Sequence, residues 1–308
     1  MTNSNKNAFL ALIRILTPTH VGIGGQALSI IDLPIQRERH TQWPTIYGSS
    51  LKGALKDYAR LNPCDSFQNG ERMVKAVFGT SENMGAIIFG DAILLLYPMK
   101  SWDKIFIWLT SPYAMIRYVE TLRLLGIEDP DTCNKYIEKL NEIRLDPNSV
   151  ISFGEDLPKT VYIEDVEYNV KYNEKLEKDL IANILEDIST TLSISKKALR
   201  ERTFIASDQV FDSIVTTKTM IQARVQLSEH KTVAQGPWYE EYIPPETILY
   251  VPLIKNLRVL GNNEKEKCVE CWLKMLSKGI TFSVGGNETI GRGIVYIRSL
   301  HRDKSSKG

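Results

Sequence analysis

The chain has 308 residues, 43% hydrophobic and 24% charged, with 38 Lys and Arg against 37 Asp and Glu. That composition is globular and long enough for one elaborated domain or two packing units; it excludes a disordered chain, a membrane-spanning protein and a mini-protein held by staples. A formal charge of +1 also excludes binding to nucleic acid through bulk charge, yet residues 1–60 carry seven basic against three acidic side chains, so phosphate binding must be local.

In chain order, residues 8–16 (AFLALIRIL) predict a first strand, closed by Thr17-Pro18 and followed by the glycine-rich HVGIGGQ loop. Pro34 and Pro44 forbid a long helix in the next stretch, and Ser49-Ser50 are expected to cap a helix over LKGALKDYARL. GERMVKAVFG fits a short helix, and GAIIFGDAILLLYP and KIFIWLT fit buried strands. Residues 113–125 and 131–144 predict a helical pair inserted after them, and NSVISFGE and KTVYIEDVEYNV further strands.

Residues 174–192 and 196–202 read as helices. TTKTMIQARVQL and ETILYVPLI read as two long strands of a hairpin whose tip is SEHKTVAQGPWYEEYIPP. The end predicts a helix over 264–278, strand GITFSV, loop GGNETIGRG, strand IVYIRSL and a frayed basic tail HRDKSSKG. No tandem repeat or clean linker is visible. A helix joined to strands at both ends suggests a split ferredoxin-like sheet, hence an α+β fold with an antiparallel core sheet in a single decorated body.

Cys64, Cys133, Cys268 and Cys271, with no signal-peptide pattern after Met1, are expected as free thiols in a reducing cytoplasm. The C-x-x-C at 268–271 lacks a second ligand pair for zinc and falls in an amphipathic helix.

Several local patterns carry chemistry and admit two readings each. The GGNETIGRG loop can bring backbone N–H groups onto a phosphate or simply turn tightly; it is no Walker loop, and Gly22–Gly25 is no dinucleotide fingerprint. Ser49, Ser50 and Lys52 open a helix, which suits either an anion or an ordinary cap. Asp32, in an apolar stretch before Arg37 and Arg39, is either a turn carboxylate paired with an arginine or a metal-binding or proton-handling group beside phosphate. His20 is a general base or a scaffold residue. Trp238 to Tyr242 (WYEEY) either stack on bases or pack.

Together, HVGIGGQALSIIDLPIQRERHT from His20, PTIYGSSLKGALK from Pro44, EEYIP from Glu240 and GGNETIGRG from Gly285 resemble the RAMP superfamily of CRISPR proteins, most closely the backbone subunits of type III-B Cmr effector complexes. The resemblance runs over essentially the whole chain. It implies one decorated domain over 1–308, with a ferredoxin-like (RRM-like) palm, a helical insertion near 111–202 and a β-hairpin thumb near 216–255. It further implies copies stacking helically along a guide RNA beside other Cmr subunits, no membrane, and cleavage of complementary target RNA at fixed intervals with a divalent metal, Mg or Mn.

On that resemblance Asp32 is the catalytic and metal-binding aspartate, and Glu240 and Tyr242 from a neighbouring copy are assistants. Ser49, Ser50, Lys52, Arg37, Gly286, Asn287 and Arg292 are RNA contacts. An extra residue between His20 and Asp32 leaves His20 without an assigned role. The competing expectations are a non-catalytic guide-binding backbone and a guide-processing endonuclease.

Overall fold

The computed structural model describes residues 7–24, 31–64, 70–154, 157–176, 180–261 and 263–300. Gly25 and Gln26 of the glycine-rich loop and the basic tail from His301 lie outside the described residues. Strand β1 (Ala8–Ile15) is buried at six of eight positions, as a strand covered on both faces must be. A segment with isolated bridges leads to helix α1 (Gly48–Leu61), which buries Leu51, Leu55 and Ala59 at four-residue spacing, and α2 (Gly70–Phe78) follows.

Strands β2 (Ile87–Phe89), β3 (Ile93–Ser101) and β4 (Ile105–Thr110) come next. Helix α3 (Pro112–Leu124) starts where Ser111 caps the Ala114 N–H with proline at the first helical position; α4 (Pro130–Asn141) repeats the device with Asp129 and Pro130. The insertion holds strands too: β5 (Ser149–Ser152) and a hairpin of β6 (Thr160–Ile163) and β7 (Val166–Tyr172). A turn of helix, α5 (Glu174–Leu176), then α6 (Ala182–Leu192) and α7 (Lys196–Arg202) occupy the stretch read as two helices.

Strand β8 (Thr203–Ile205) and helix α8 (Asp208–Thr217) were not expected, although Ser207 supplies the α8 cap and Asp208 its acidic first turn. Beyond them lie β9 (Met220–Leu227), β10 (Val233–Tyr242), β11 (Ile248–Lys255), α9 (Asn263–Lys278), β12 (Ile280–Ser283) and β13 (Ile294–Ser299).

The large sheet runs β12-β13-β1-β11-β3-β4-β8-β5-β7-β6, with β2 also on β11. It is mostly antiparallel, with parallel pairs at β4–β8 and β5–β7. Alternation along β1 sends Ala11, Ile13 and Ile15 into a core shared with Leu51, Phe78 and Trp272, and Leu10 and Leu12 into a core shared with Tyr118, Leu122 and Ile188. The sheet is therefore covered on both faces. Among the described residues no helix is long and apolar enough to cross a membrane.

Three expectations are corrected. The hairpin is β9 with β10, Tyr242 opposite Met220, in a separate two-stranded sheet, while β11 joins the large sheet beside β1. The segment read as a tip is thus a strand, because Ile248 to Lys255 is too apolar to leave the core. Cys64 and Cys271 are joined as a disulfide, leaving Cys133 and Cys268 as buried thiols; packing of α9 against α2 brings the Cα atoms to 6.5 Å despite a separation of 207 residues. Finally, Ser49 and Ser50 do not cap α1: Gly48 is its first residue, and the Gly48 N–H donates to Asp91 Oδ1 at 2.6 Å.

That docking leaves no room at Gly48, where a Cβ would stand 2.5 Å from the Phe89 carbonyl oxygen and 2.9 Å from that of Gly90. Gly48→Ala should cost about 1–3 kcal/mol, the usual range for overpacking against atoms that cannot yield, read as a lower midpoint in thermal unfolding.

Candidate functional site

Strand β10 has two edges. One pairs with β9; the other is bridged by Leu33 of the extended segment 31–37, whose Ile35 and Arg37 bridge Gly22 and Pro44 instead. The Leu33 N–H donates to the Tyr239 carbonyl (3.1 Å), the Glu241 N–H donates to the Leu33 carbonyl (3.0 Å), and Leu33 forms a parallel bridge to Glu240. Asp32 stands on this strap, exposed, and its Oδ2 accepts the Tyr239 N–H at 2.7 Å. The carboxylate is oriented by a backbone group, not by the nearby arginines.

Arg37 is turned inward. Its guanidinium meets Glu241 Oε1 at 2.5 Å and donates to the carbonyls of Gln42 (2.6 Å) and Thr216 (3.3 Å). Glu241, 1% exposed, also accepts from the Thr219 hydroxyl (2.5 Å) and, through Oε2, from the Ile35 N–H (3.0 Å). The guanidinium is thus committed to the strap's own anchorage. Downstream, Glu38 holds Arg117 through two bonds of 2.6 and 2.9 Å.

Glu240, 4% exposed, points the opposite way along the strand. Oε1 accepts from Trp238 Nε1 (2.9 Å); Oε2 accepts from the Tyr242 hydroxyl, Asn287 Nδ2 (2.9 Å) and Arg224 (3.3 Å). Burial alone would raise the Glu240 carboxyl, but hydrogen bonds from Tyr242 and Trp238 and the Arg224 charge outweigh it and hold the group below its usual range. Burial, reinforced by its bond to this carboxylate, pushes the Tyr242 phenol up.

Arg292 lies 5.3 Å over the Tyr242 ring and donates to Gln222 at 2.8 Å, so the carboxy-terminal loop is tied to both hairpin strands. Gly286 gives its N–H to the His20 carbonyl (2.9 Å), and His20 Nδ1 lies 2.7 Å from the Glu241 carbonyl with its ring edge-on to Tyr242. His20 is built into the scaffold between loop and strand.

The start of α1 lies at the other end of the strap. Gln36, 5% exposed, donates to the Gly22 carbonyl (3.2 Å) and to Ser50 Oγ (2.9 Å) and accepts the Tyr47 N–H (2.7 Å). Ser49 is exposed, and Ser50 and Lys52 are half-buried on this first turn.

The fold therefore gathers Asp32, Glu240, Tyr242, Asn287 and Arg292 around β10 within one chain, and Ser49, Ser50 and Lys52 one strap-length away. Glu241 and Gln36, which fasten the strap, were not assigned from sequence. Among the described residues no three His, Cys, Asp or Glu side chains converge on a metal. One exposed carboxylate fits only a water-rich ion of the Mg type, which takes one or two carboxylates and completes its shell with water and substrate phosphate.

Glu240→Gln should destabilise the protein at neutral pH. Because the native carboxyl titrates below its ordinary value of 4.5, the wild-type advantage is complete above that pH and is lost as pH falls through the lower native value. Urea unfolding of both proteins between pH 7 and 3 reads the converging curves.

The sequence pattern of the RAMP superfamily matches residues 12–296. The CRISPR system Cmr endoribonuclease Cmr4 of Pyrococcus furiosus is 31% identical over 299 residues, covering 94% of this chain and 95% of that protein. The crystal structure of oligomeric Cmr4 from the same organism superposes with a TM-score of 0.72 at 27% identity, covering 97% of this chain and 99% of that one. A chain of the type III-B Cmr-beta complex bound to cognate target RNA shares the fold, with a TM-score of 0.71, 24% identity and coverage of 95% and 96%. A match that runs from inside β1 to inside β13 spans nearly the whole sheet and leaves one assignment: the chain belongs to the RAMP superfamily.

Proposed function

We propose that this chain is a repeating backbone subunit of a type III-B Cmr complex in the cytoplasm, binding guide RNA and cutting complementary target RNA. Identity of 31% across nearly the whole chain to a Cmr endoribonuclease supports the activity. The observation that carries its placement is Asp32: an exposed carboxylate fixed by a 2.7 Å backbone bond on a strap that is itself pinned to β10.

The palm reading rests on the order β13-β1-β11-β3, which is 4-1-3-2 when the four strands are numbered along the chain, with α1 and α9 in the two crossings, as in a ferredoxin-like sheet. The β9–β10 hairpin is the thumb. Its exposed Ile221, Val225, Val233 and Tyr239 suit a wedge between bases, interrupting the guide–target duplex once per subunit stacked along the guide. Ser49, Ser50 and Lys52 at the start of α1, with Asn287 and Arg292 on the carboxy-terminal loop, face the guide backbone, beside the other Cmr subunits.

At the interruption a splayed nucleotide presents its 2′-hydroxyl to the adjacent phosphate. In-line attack of that oxygen on phosphorus expels the 5′-oxygen of the next nucleotide and leaves a 2′,3′-cyclic phosphate and a 5′-hydroxyl. Asp32 orients the attacking hydroxyl and would hold a Mg or Mn ion, which supplies charge neutralisation at the phosphate. Glu240, ionised and with both oxygens occupied, holds Tyr242, Arg224 and Asn287 in place where the hairpin meets the carboxy-terminal loop.

In a complex assembled with guide, Asp32→Ala should abolish the ladder of cuts in labelled complementary RNA while target binding survives; an unchanged ladder rejects the assignment, and a wild-type complex that binds without cutting leaves a scaffold. Lys52→Ala should weaken guide binding for every guide sequence alike and make the slope of log affinity against log salt shallower by about 1, as loss of one phosphate contact does, measured by filter binding.

A further inference from the structure

The Glu241 carboxylate belongs to the hairpin but touches no exposed surface. It joins six groups: the Ile35 N–H and the Arg37 guanidinium of the strap, the Thr219 hydroxyl just before β9, and, through Arg37, the Gln42 carbonyl and the carbonyls of Val215 and Thr216 at the end of α8. The strap and hairpin charges are 204 residues apart in sequence. Among the described residues, Asp32 and Leu33 would keep their bonds to β10 without Glu241, and Gln36 its bonds to Val21, Thr45, Ser50 and Tyr47, but Ile35 and Arg37 would lose their tie to the hairpin. Ion pairs buried this way contribute little net stability, and their attested use is to specify one arrangement among several.

We propose that Glu241, paired with Arg37, is a positioning residue for target cleavage, setting the register of the strap on β10 and so the place of Asp32 relative to the scissile phosphate. The proposal rests on the cleavage reading above. The Glu241 carboxylate is buried and the Arg37 guanidinium is bonded within the chain, so the pair acts through the backbone between Ile35 and Asp32. In-line attack tolerates little misplacement, and about 1 Å can cost on the order of a hundredfold in rate.

The test uses the complex assembled with guide RNA and wild-type, Asp32→Ala, Glu241→Gln, Arg37→Gln or doubly substituted chain. Single-turnover cleavage and target affinity are measured separately, with hydrogen exchange followed at the Leu33 and Ile35 amides. Glu241→Gln should slow cleavage on the order of ten- to a hundredfold at unchanged affinity and unchanged cut spacing, with faster exchange at both amides. The double variant should be no slower than the worse single one, as for two groups acting as a unit.

Wild-type cleavage rates in Glu241→Gln, with Asp32→Ala inactive, overturn the positioning role and leave the cleavage reading intact; no cutting by the wild-type complex removes the cleavage reading itself. If Glu241→Gln does not assemble, Arg37→Lys is read instead, since lysine keeps the charge but not the fork. A slower rate at equal affinity upholds the proposal, and a wild-type rate overturns it.

Discussion

The second edge of β10 is the constraint on which the site depends. A strand edge presents N–H and C=O groups that must find partners, and here the partners are Leu33 and the Asp32 carboxylate. Once those bonds form, the alternation of the strand decides the rest. Glu241 must face the strap and Glu240 the carboxy-terminal loop, so two adjacent carboxylates with the same chemistry fasten different parts of the chain. Both are almost fully buried, and a buried carboxylate is tolerable only with donors around it; three groups surround Glu241 and four surround Glu240.

The same logic applies to the charges of a nearly neutral chain. Its cationic groups split into two kinds. Arg37, Arg117 and Arg224 are committed to Glu241, Glu38 and Glu240 respectively, and work as braces. Lys52, on the first turn of α1, remains beside exposed Ser49. Under the proposed function, local charge at the start of α1 supplies phosphate affinity without a strongly basic whole.

Much of this was legible in the amino-acid sequence wherever a short window carried the signal. Continuous apolar runs marked β1, β3, β4 and β11; the four-residue spacing of Leu51 and Leu55 marked α1; Cys268, Val269, Trp272 and Leu276 marked α9. The hairpin went astray because β10 contains Gly236-Pro237 and runs of polar and aromatic residues, a poor strand by composition, while β11 looked the better partner for β9. The Cys64–Cys271 pair could not be read from spacing across 207 residues. Asp32 was expected to pair with an arginine or to serve beside phosphate, and its carboxylate is bonded by a backbone amide instead. Its partner, an amide at position 239, belongs to a pairing that no local pattern announces. Gln36 and Glu241 went unassigned for the same reason: their partners are brought together only by the fold.

The place of β1 between two late strands has a consequence during synthesis. Its two neighbours are β11 and β13, and Arg14 finds its carboxylate, Glu246, 232 residues later. On the ribosome β1 emerges ahead of every other strand of the sheet and waits, both edges open, until nearly all of the chain has followed. At about 5–20 residues per second that wait is on the order of ten seconds or more. During it, chaperone binding or shielding by α1 and α2 must cover β1, and a pause late in translation would prolong the interval in which nascent copies can pair with one another instead of folding.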